Sequence, residues 1–297
     1  MGYATLDAAL AFPNNVPPTK SHIVITDTLK SNGNFLIHHF LGNHLKADQH
    51  VVLIGLSQIF NHYFLIGRKL VLIFLYLLKT FIKFNSIMHL IHICIFKNKG
   101  INLQAYKQSG QFSFIDGLTH INPYTQGTPY PPTGTPSTPT DTLDGSKPSD
   151  NILLSFYQII RRHVSQTSKP HPLLILDDAS VLLMTGYVLD SVSQFLHKLK
   201  VLMESVGGTL ITVVHADEEG AEDPEQDAFV KSVITSAELI LQAEALGSGL
   251  ARDIHGQLSI LHGPQYVPRS TTTVAQSLHY KILDNNAEFF AKGISQV

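Results

Sequence analysis

Four groups of residues have types and spacings that can do chemistry. The first is the turn Asp27-Thr28-Leu29-Lys30-Ser31-Asn32-Gly33-Asn34-Phe35, which follows an apolar run at 22–26. A turn in that place binds phosphate when it reads G-x-x-x-x-G-K-[ST]. Backbone amides cradle the phosphates, the lysine neutralises them and the hydroxyl holds magnesium. Here one glycine remains, Asn34 stands where lysine belongs and Phe35 where the hydroxyl belongs. Phe35 cannot ligate magnesium, so the catalytic loop is lost. The second group is Asp177-Asp178, at the end of the run PLLILDD. A nucleotide-hydrolysing fold keeps a magnesium carboxylate there. Without a phosphate loop beside it, the pair reads as strand-end acids that cap a turn. The third is His215-Ala216-Asp217, also after an apolar run. A His and an Asp two apart suit acid–base work, but no nucleophile or third ligand stands nearby in sequence. A solvated strand-end pair is the expected reading. The fourth is His38, His39 and His44 on one predicted helix. None of their spacings is the four-residue step that aligns two metal ligands on a helix face, so they read as core or surface histidines.

These groups need a scaffold, and the apolar runs supply one. Continuous runs at 22–26, 51–56, 112–116, 172–177, 209–214 and 238–243 read as buried strands. Helical patterns lie between them at 35–47, 59–69, 152–163 and 188–205, with a short helix at 228–236. Alternation of this kind predicts a mainly parallel sheet covered on both faces. The segments 257–261, 278–283 and 288–292 read as antiparallel ribbons at one edge, with Asp284-Asn285-Asn286 turning the last hairpin. The expected fold class is α/β. The element order is similar to RecA-like cores, here without a phosphate loop, in a single domain over 1–297.

Composition narrows the function classes. The formal net charge is −2, so no global basic field draws the chain to nucleic acid, and any RNA contact must be local or shared with partners. One cysteine, Cys94, permits no internal disulfide and no zinc spacing, which fits an intracellular compartment. The first residues, MGYATLDAALAFPNN, show no basic stretch followed by an apolar one, so no secretory signal is expected. The acidic stretch 217–227 reads as a solvated loop that can face a basic partner. Residues 122–150 are rich in Pro, Thr, Gly and Ser with almost no aliphatic residue, a composition that cannot offset ordering entropy and predicts a disordered loop.

Residues 71–99 stand apart. They carry four lysines and no acid, so removing them takes the formal charge from −2 to −6. The apolar run from Val71 to Leu78 is interrupted by Lys79, Lys83 and Asn85, well short of the roughly 20 apolar residues a membrane span needs. A buried or interfacial helix is the plainer structural reading. The segment is dominated by residues that A/T-rich codons encode. It starts with a valine, whose codons begin GT, and ends with a lysine, one of whose codons ends AG. We read it as a retained intron whose removal joins Leu70 to Gly100.

Several blocks resemble one known family. NGNFLIHHFLGNHLKA (32–47), QIFNHYFLIGRKL (58–70), LLILDDASVLL (173–183), GLARDIHGQLSIL (249–261) and HYKILDNNAEFFAKG (279–293) are similar to the Elongator complex protein 6 family. The ARDIHGQL block and the terminal FFAKG are the most specific. The resemblance spans nearly the whole chain except 71–99 and the Pro/Thr-rich loop. It implies a RecA-like fold with no catalysis and no cofactor. It also implies assembly with Elongator subunits four and five into a heterohexameric ring, binding of tRNA through that ring, and support of the catalytic subcomplex in wobble-uridine modification. The expected locations are cytoplasm and nucleus, without a membrane. Within the ARDIHGQL block, Arg252, Asp253, His255 and Gly256 are candidate partner-interface residues. The planar fork of Arg252 suits a carboxylate or an RNA phosphate, and Gly256 suits a tight turn before a strand. An internal salt bridge of Arg252 with Asp253 or another acid is the plainer reading. Two other classes compete with this one. An active RecA-like ATPase is opposed by the missing lysine and hydroxyl. A membrane-anchored binding protein rests on 71–96 alone.

Overall fold

Nine of the apolar or alternating runs form strands of one sheet. The computed structural model describes residues 3–67, 101–118, 150–167, 169–216, 223–247, 253–268, 273–283 and 286–291. The 71–99 segment and residues 122–149 of the Pro/Thr-rich stretch lie outside them, while Asp150 already opens a helix. The strands are β1 (His22–Asp27), β2 (Val51–Gly55), β3 (Phe112–Asp116), β4 (Leu173–Asp177), β5 (Thr209–His215), β6 (Leu239–Glu244), β7 (Gly256–His262), β8 (Gln276–Leu283) and β9 (Asn286–Ala291). Their order is 3-2-4-5-1-6-7-8-9. The first six in that order are parallel, and β6 to β9 pair antiparallel. The predicted antiparallel edge is therefore present, and Leu283 pairs with Asn286 across a two-residue connection.

Helices cover both faces, divided by chain order. Helices α1 (Ala4–Leu10), α2 (Asn34–Lys46), α3 (residues 60–67) and α4 (Leu103–Gln108) lie on one face. Helices α5 (Asp150–Ser165), α6 (Ser180–Met184), α7 (Leu189–Ser205) and α8 (Pro224–Thr235) lie on the other. Alternate residues of each central strand serve the two cores: Ile23 and Ile25 pack with Phe40 on the first face, and Val24 with Phe156 and Phe195 on the second. Burial on both faces explains why these strands read as unbroken apolar runs.

The structure moves two expected boundaries. The helix expected at 228–236 starts earlier, at Pro224, inside the stretch read as an acidic loop. Asp223 is its N-cap, its Oδ1 accepting from the Glu225 N–H at 2.9 Å, and proline at the first helical position needs no hydrogen-bond partner. Acids in the first turn also suit the positive end of the helix dipole. Gly256, expected in a tight turn, instead begins β7 and is buried. A Cβ there would come within 2.5 Å of the Tyr280 hydroxyl and 2.6 Å of the Glu244 carbonyl oxygen. The glycine serves close strand approach.

Candidate functional site

Parallel strands bring their C-terminal ends to one edge, and β4, β5 and β1 are neighbours in that order. Each ends in an ionisable residue: Asp177 followed by Asp178, His215, and Asp27. The three carboxylates are 1% exposed, and the His215 side chain is 33% exposed. His215 Nδ1 pairs with Asp27 Oδ1. Its Nε2 stands 2.8 Å from Asp178 Oδ2, an ion pair. The contacts with Asp178 and then Asp27 push the His215 pKa up to about 10, against the opposing effect of burial.

The backbone of His215 is fixed as well. Its N–H donates to Ser180 Oγ at 2.9 Å, and its carbonyl oxygen accepts from Gln226 Nε2 at 2.5 Å. Asp178 Oδ1 accepts from the Ser180 N–H at 2.8 Å, which is the turn cap expected from the sequence. Asp177 turns the other way. Its carboxyl takes the Tyr63 hydroxyl and, at 3.1 Å, the Ser57 hydroxyl. Burial is the main cause that pushes Asp177 up to about 7.

The turn that would hold phosphate is closed by the chain itself. Asp27 Oδ2 accepts the N–H of Gly33, the N-cap of α2, at 2.7 Å. A helix N-terminus is an anion site, and here a carboxylate of the preceding strand takes it. Thr28 and Ser31 form a short bridge, and Leu29 at the tip is 92% exposed. Ser31 Oγ meets the Tyr280 hydroxyl of β8 at 2.5 Å. Phe35 packs against Tyr280 and Phe289, with ring centroids 4.9 and 5.9 Å away. The residue that replaces the magnesium-binding hydroxyl is thus part of the packing between α2 and the antiparallel strands.

The other candidates fall elsewhere. Asp217, expected beside His215, lies outside the described residues, and His215 faces Asp27 and Asp178 instead. His38, His39 and His44 are all buried. His39 stacks on Tyr3, accepts the Tyr3 N–H at 3.2 Å and lies 3.4 Å from Asp7. His44 Nε2 bonds the His171 carbonyl oxygen at 2.8 Å. Among the described residues no group of three His, Cys, Asp or Glu is placed to hold a metal. Nor is any described helix long and apolar enough to cross a membrane. Of the ARDIHGQL block, Arg252 lies outside the described residues. Asp253 pairs with Lys281 at 2.7 Å, and His255 binds β8 twice, through its N–H to the Tyr280 carbonyl oxygen and through Nδ1 to the Ile282 N–H.

Sequence reasoning missed Asp27, Tyr63, Gln226 and Tyr280 as members of this edge. A signal for Asp27 was present: three buried runs each end in an ionisable residue.

The family described as Elongation complex protein 6 matches residues 3–84 and 72–284. Curated relatives named Elongator complex protein 6 include the mouse protein, 32% identical over 90% of this chain and 88% of its own length. The human protein is 30% identical over 90% and 88%, and the zebrafish protein 24% identical over 96% and 95%. Among solved structures, a KaiC-like protein of Pyrococcus horikoshii superposes with a TM-score of 0.54 at 12% identity, covering 92% of this chain and 91% of that one. That likeness shows the RecA-like fold alone. The chain belongs to the Elongation complex protein 6 family.

Proposed function

We propose that this chain is a non-catalytic subunit of the Elongator complex. In this reading it joins subunits four and five in a heterohexameric ring that binds tRNA and supports the catalytic subcomplex in wobble-uridine modification, in cytoplasm and nucleus. Relatives named for Elongator match about nine-tenths of the chain, which supports membership of the complex. The observation that carries the non-catalytic role is Asp27 bonded to the Gly33 N–H. It puts a negative charge where a nucleotide phosphate would sit, and charges of like sign repel strongly in a buried setting. The subunit then contributes surface and shape. Arg252, Asp253, His255 and Gly256 are the proposed partner interface, with Arg252 suited to a partner carboxylate or an RNA phosphate.

The 71–99 segment enters the same test. The two stretches of the family match overlap within it, at 72–84. The chain is co-expressed with subunits four and five, with and without residues 71–99, and resolved by size-exclusion chromatography. A ring-sized complex from the shortened chain alone supports both the assignment and the intron. A ring from both chains keeps the assignment and makes the segment a tolerated insertion. No complex from either overturns the proposed role.

A further inference from the structure

We propose that the edge formed by β1, β4 and β5 is a cation site that the chain fills with its own His215 side chain, so that a proton on this ring takes the part of a bound cation and ties the three strands together. The inference concerns this chain alone and stands apart from its assembly into Elongator.

The argument begins with charge. Asp27, Asp177 and Asp178 are all buried at one edge of the sheet, and buried carboxylates need a counter-charge or a proton. Asp177 has hydroxyl donors in Tyr63 and Ser57. Asp27 and Asp178 flank His215. The ring geometry then fixes its state. A neutral imidazole has one N–H and one lone pair, so only one of its nitrogens can donate. Both nitrogens of His215 face carboxylate oxygens. With a neutral ring, one of those contacts would set lone pair against lone pair. With both carboxylates ionised, only the doubly protonated ring can face both without that clash.

The groups around the ring come from every element packed on it. Asp27 is on β1, Asp177 ends β4 and Asp178 follows it, Ser180 belongs to α6 and Gln226 to α8. Tyr280 on β8 reaches Asp27's turn through Ser31. Ser180 and Gln226 hold the backbone of His215, which fixes where its ring departs from the strand end. The sign follows from linkage. The ring's proton is bound more tightly in the folded chain than in the unfolded chain, whose histidine titrates near 6.5. The stabilisation is therefore complete below that value and is lost as pH rises through about 10.

The test uses the full chain labelled with ¹⁵N at histidine, with His215 assigned by comparison with His215→Gln. We expect both ring nitrogens to keep imidazolium shifts from pH 7 to 9 and to titrate near 10. A ring that titrates near its free value, or a single neutral tautomer at pH 8, overturns the proposal. Thermal unfolding supplies a second reading. The melting midpoint of the wild type should exceed that of His215→Gln by more than about 4 °C at pH 7, and the gap should close by about pH 10.5. A gap that is the same at both pH values also overturns it. In His215→Gly, millimolar imidazole should raise the midpoint at pH 7 and leave the wild type unchanged. Indifference of a folded His215→Gly variant to imidazole would remove the cation-site part of the claim. Should that variant not fold, the wild-type titration decides.

Discussion

The two ends of the parallel sheet treat the same side chain in opposite ways. At the C-terminal edge, His215 sits between two carboxylates and holds its proton up to about 10. At the N-terminal edge, His22 opens β1 between the Ser236 and Thr212 hydroxyls, each 3.0 Å away, and His50 stands just before β2 with Ser113 3.4 Å away. His44, in the last turn of α2, bonds a carbonyl oxygen. Burial pushes each of these three down to about 4. What differs is the partner. A hydroxyl or one carbonyl does not offset the cost of burying a charge, and a pair of carboxylates does. The RecA-like frame is thus neutral at its base and ionic at the C-terminal ends of its parallel strands.

The largest expected effect tests the neutral end. Five buried rings, His22, His38, His39, His44 and His50, are all pushed down, four to about 4 and His39 to about 3, with burial the first cause in each. Their contribution is fully present above the unfolded value of about 6.5 and is lost as pH falls through about 4. Urea midpoints measured from pH 7 to 4 should fall steeply, with a slope that reports uptake of several protons on unfolding. A flat profile between pH 7 and 5 would contradict the neutral assignment.

The next effect breaks the ionic end. Asp27→Ala leaves the Gly33 N–H without its acceptor and His215 with one partner. A loss of about 3 kcal/mol is expected in urea unfolding, and Asp27→Asn, which can still accept from Gly33, should lose less. Equal losses would show that the amide contact carries little. A smaller effect sharpens the link between this edge and the antiparallel strands. Gly256→Ala drives a methyl against the Tyr280 hydroxyl and should cost about 1–3 kcal/mol, while Tyr280→Phe, which only removes the bond to Ser31, should cost about 1 kcal/mol. The smallest is Asp253→Ala, which opens an exposed pair with Lys281 and should change stability by less than about 1 kcal/mol. A clear loss of ring assembly from so mild a change would mark the block as interface.

Much of the frame was legible because strands buried on both faces are mostly apolar, as LLIL (173–176) and most of TLITVV (209–214) are. The breaks in the pattern were legible too, since Asn34 and Phe35 cannot do the work of lysine and a hydroxyl. The site was harder to read. His215 was paired with its sequence neighbour Asp217, whereas its partners lie 188 residues away in Asp27 and just past the end of the neighbouring strand in Asp178. That pairing depends on the strand order 4-5-1, which no local spacing encodes. Helices α4 and α6, of six and five residues, are too short for a helical period to emerge. Tyr63 was one aromatic in a helical run, and only the packing of α3 on the sheet, with its ring beside Phe114 of β3, brings its hydroxyl to Asp177.

In the proposed reading this RecA-like chain carries its own counter-ion and hydrogen bonds where a nucleotide and magnesium would lie. Isothermal titration of magnesium–ATP into the full chain, repeated on the histidine-labelled protein, tests it most directly. The account predicts no saturable heat at millimolar nucleotide and no movement of the His215 ring signals. Saturable binding at micromolar nucleotide that shifts those signals would contradict it.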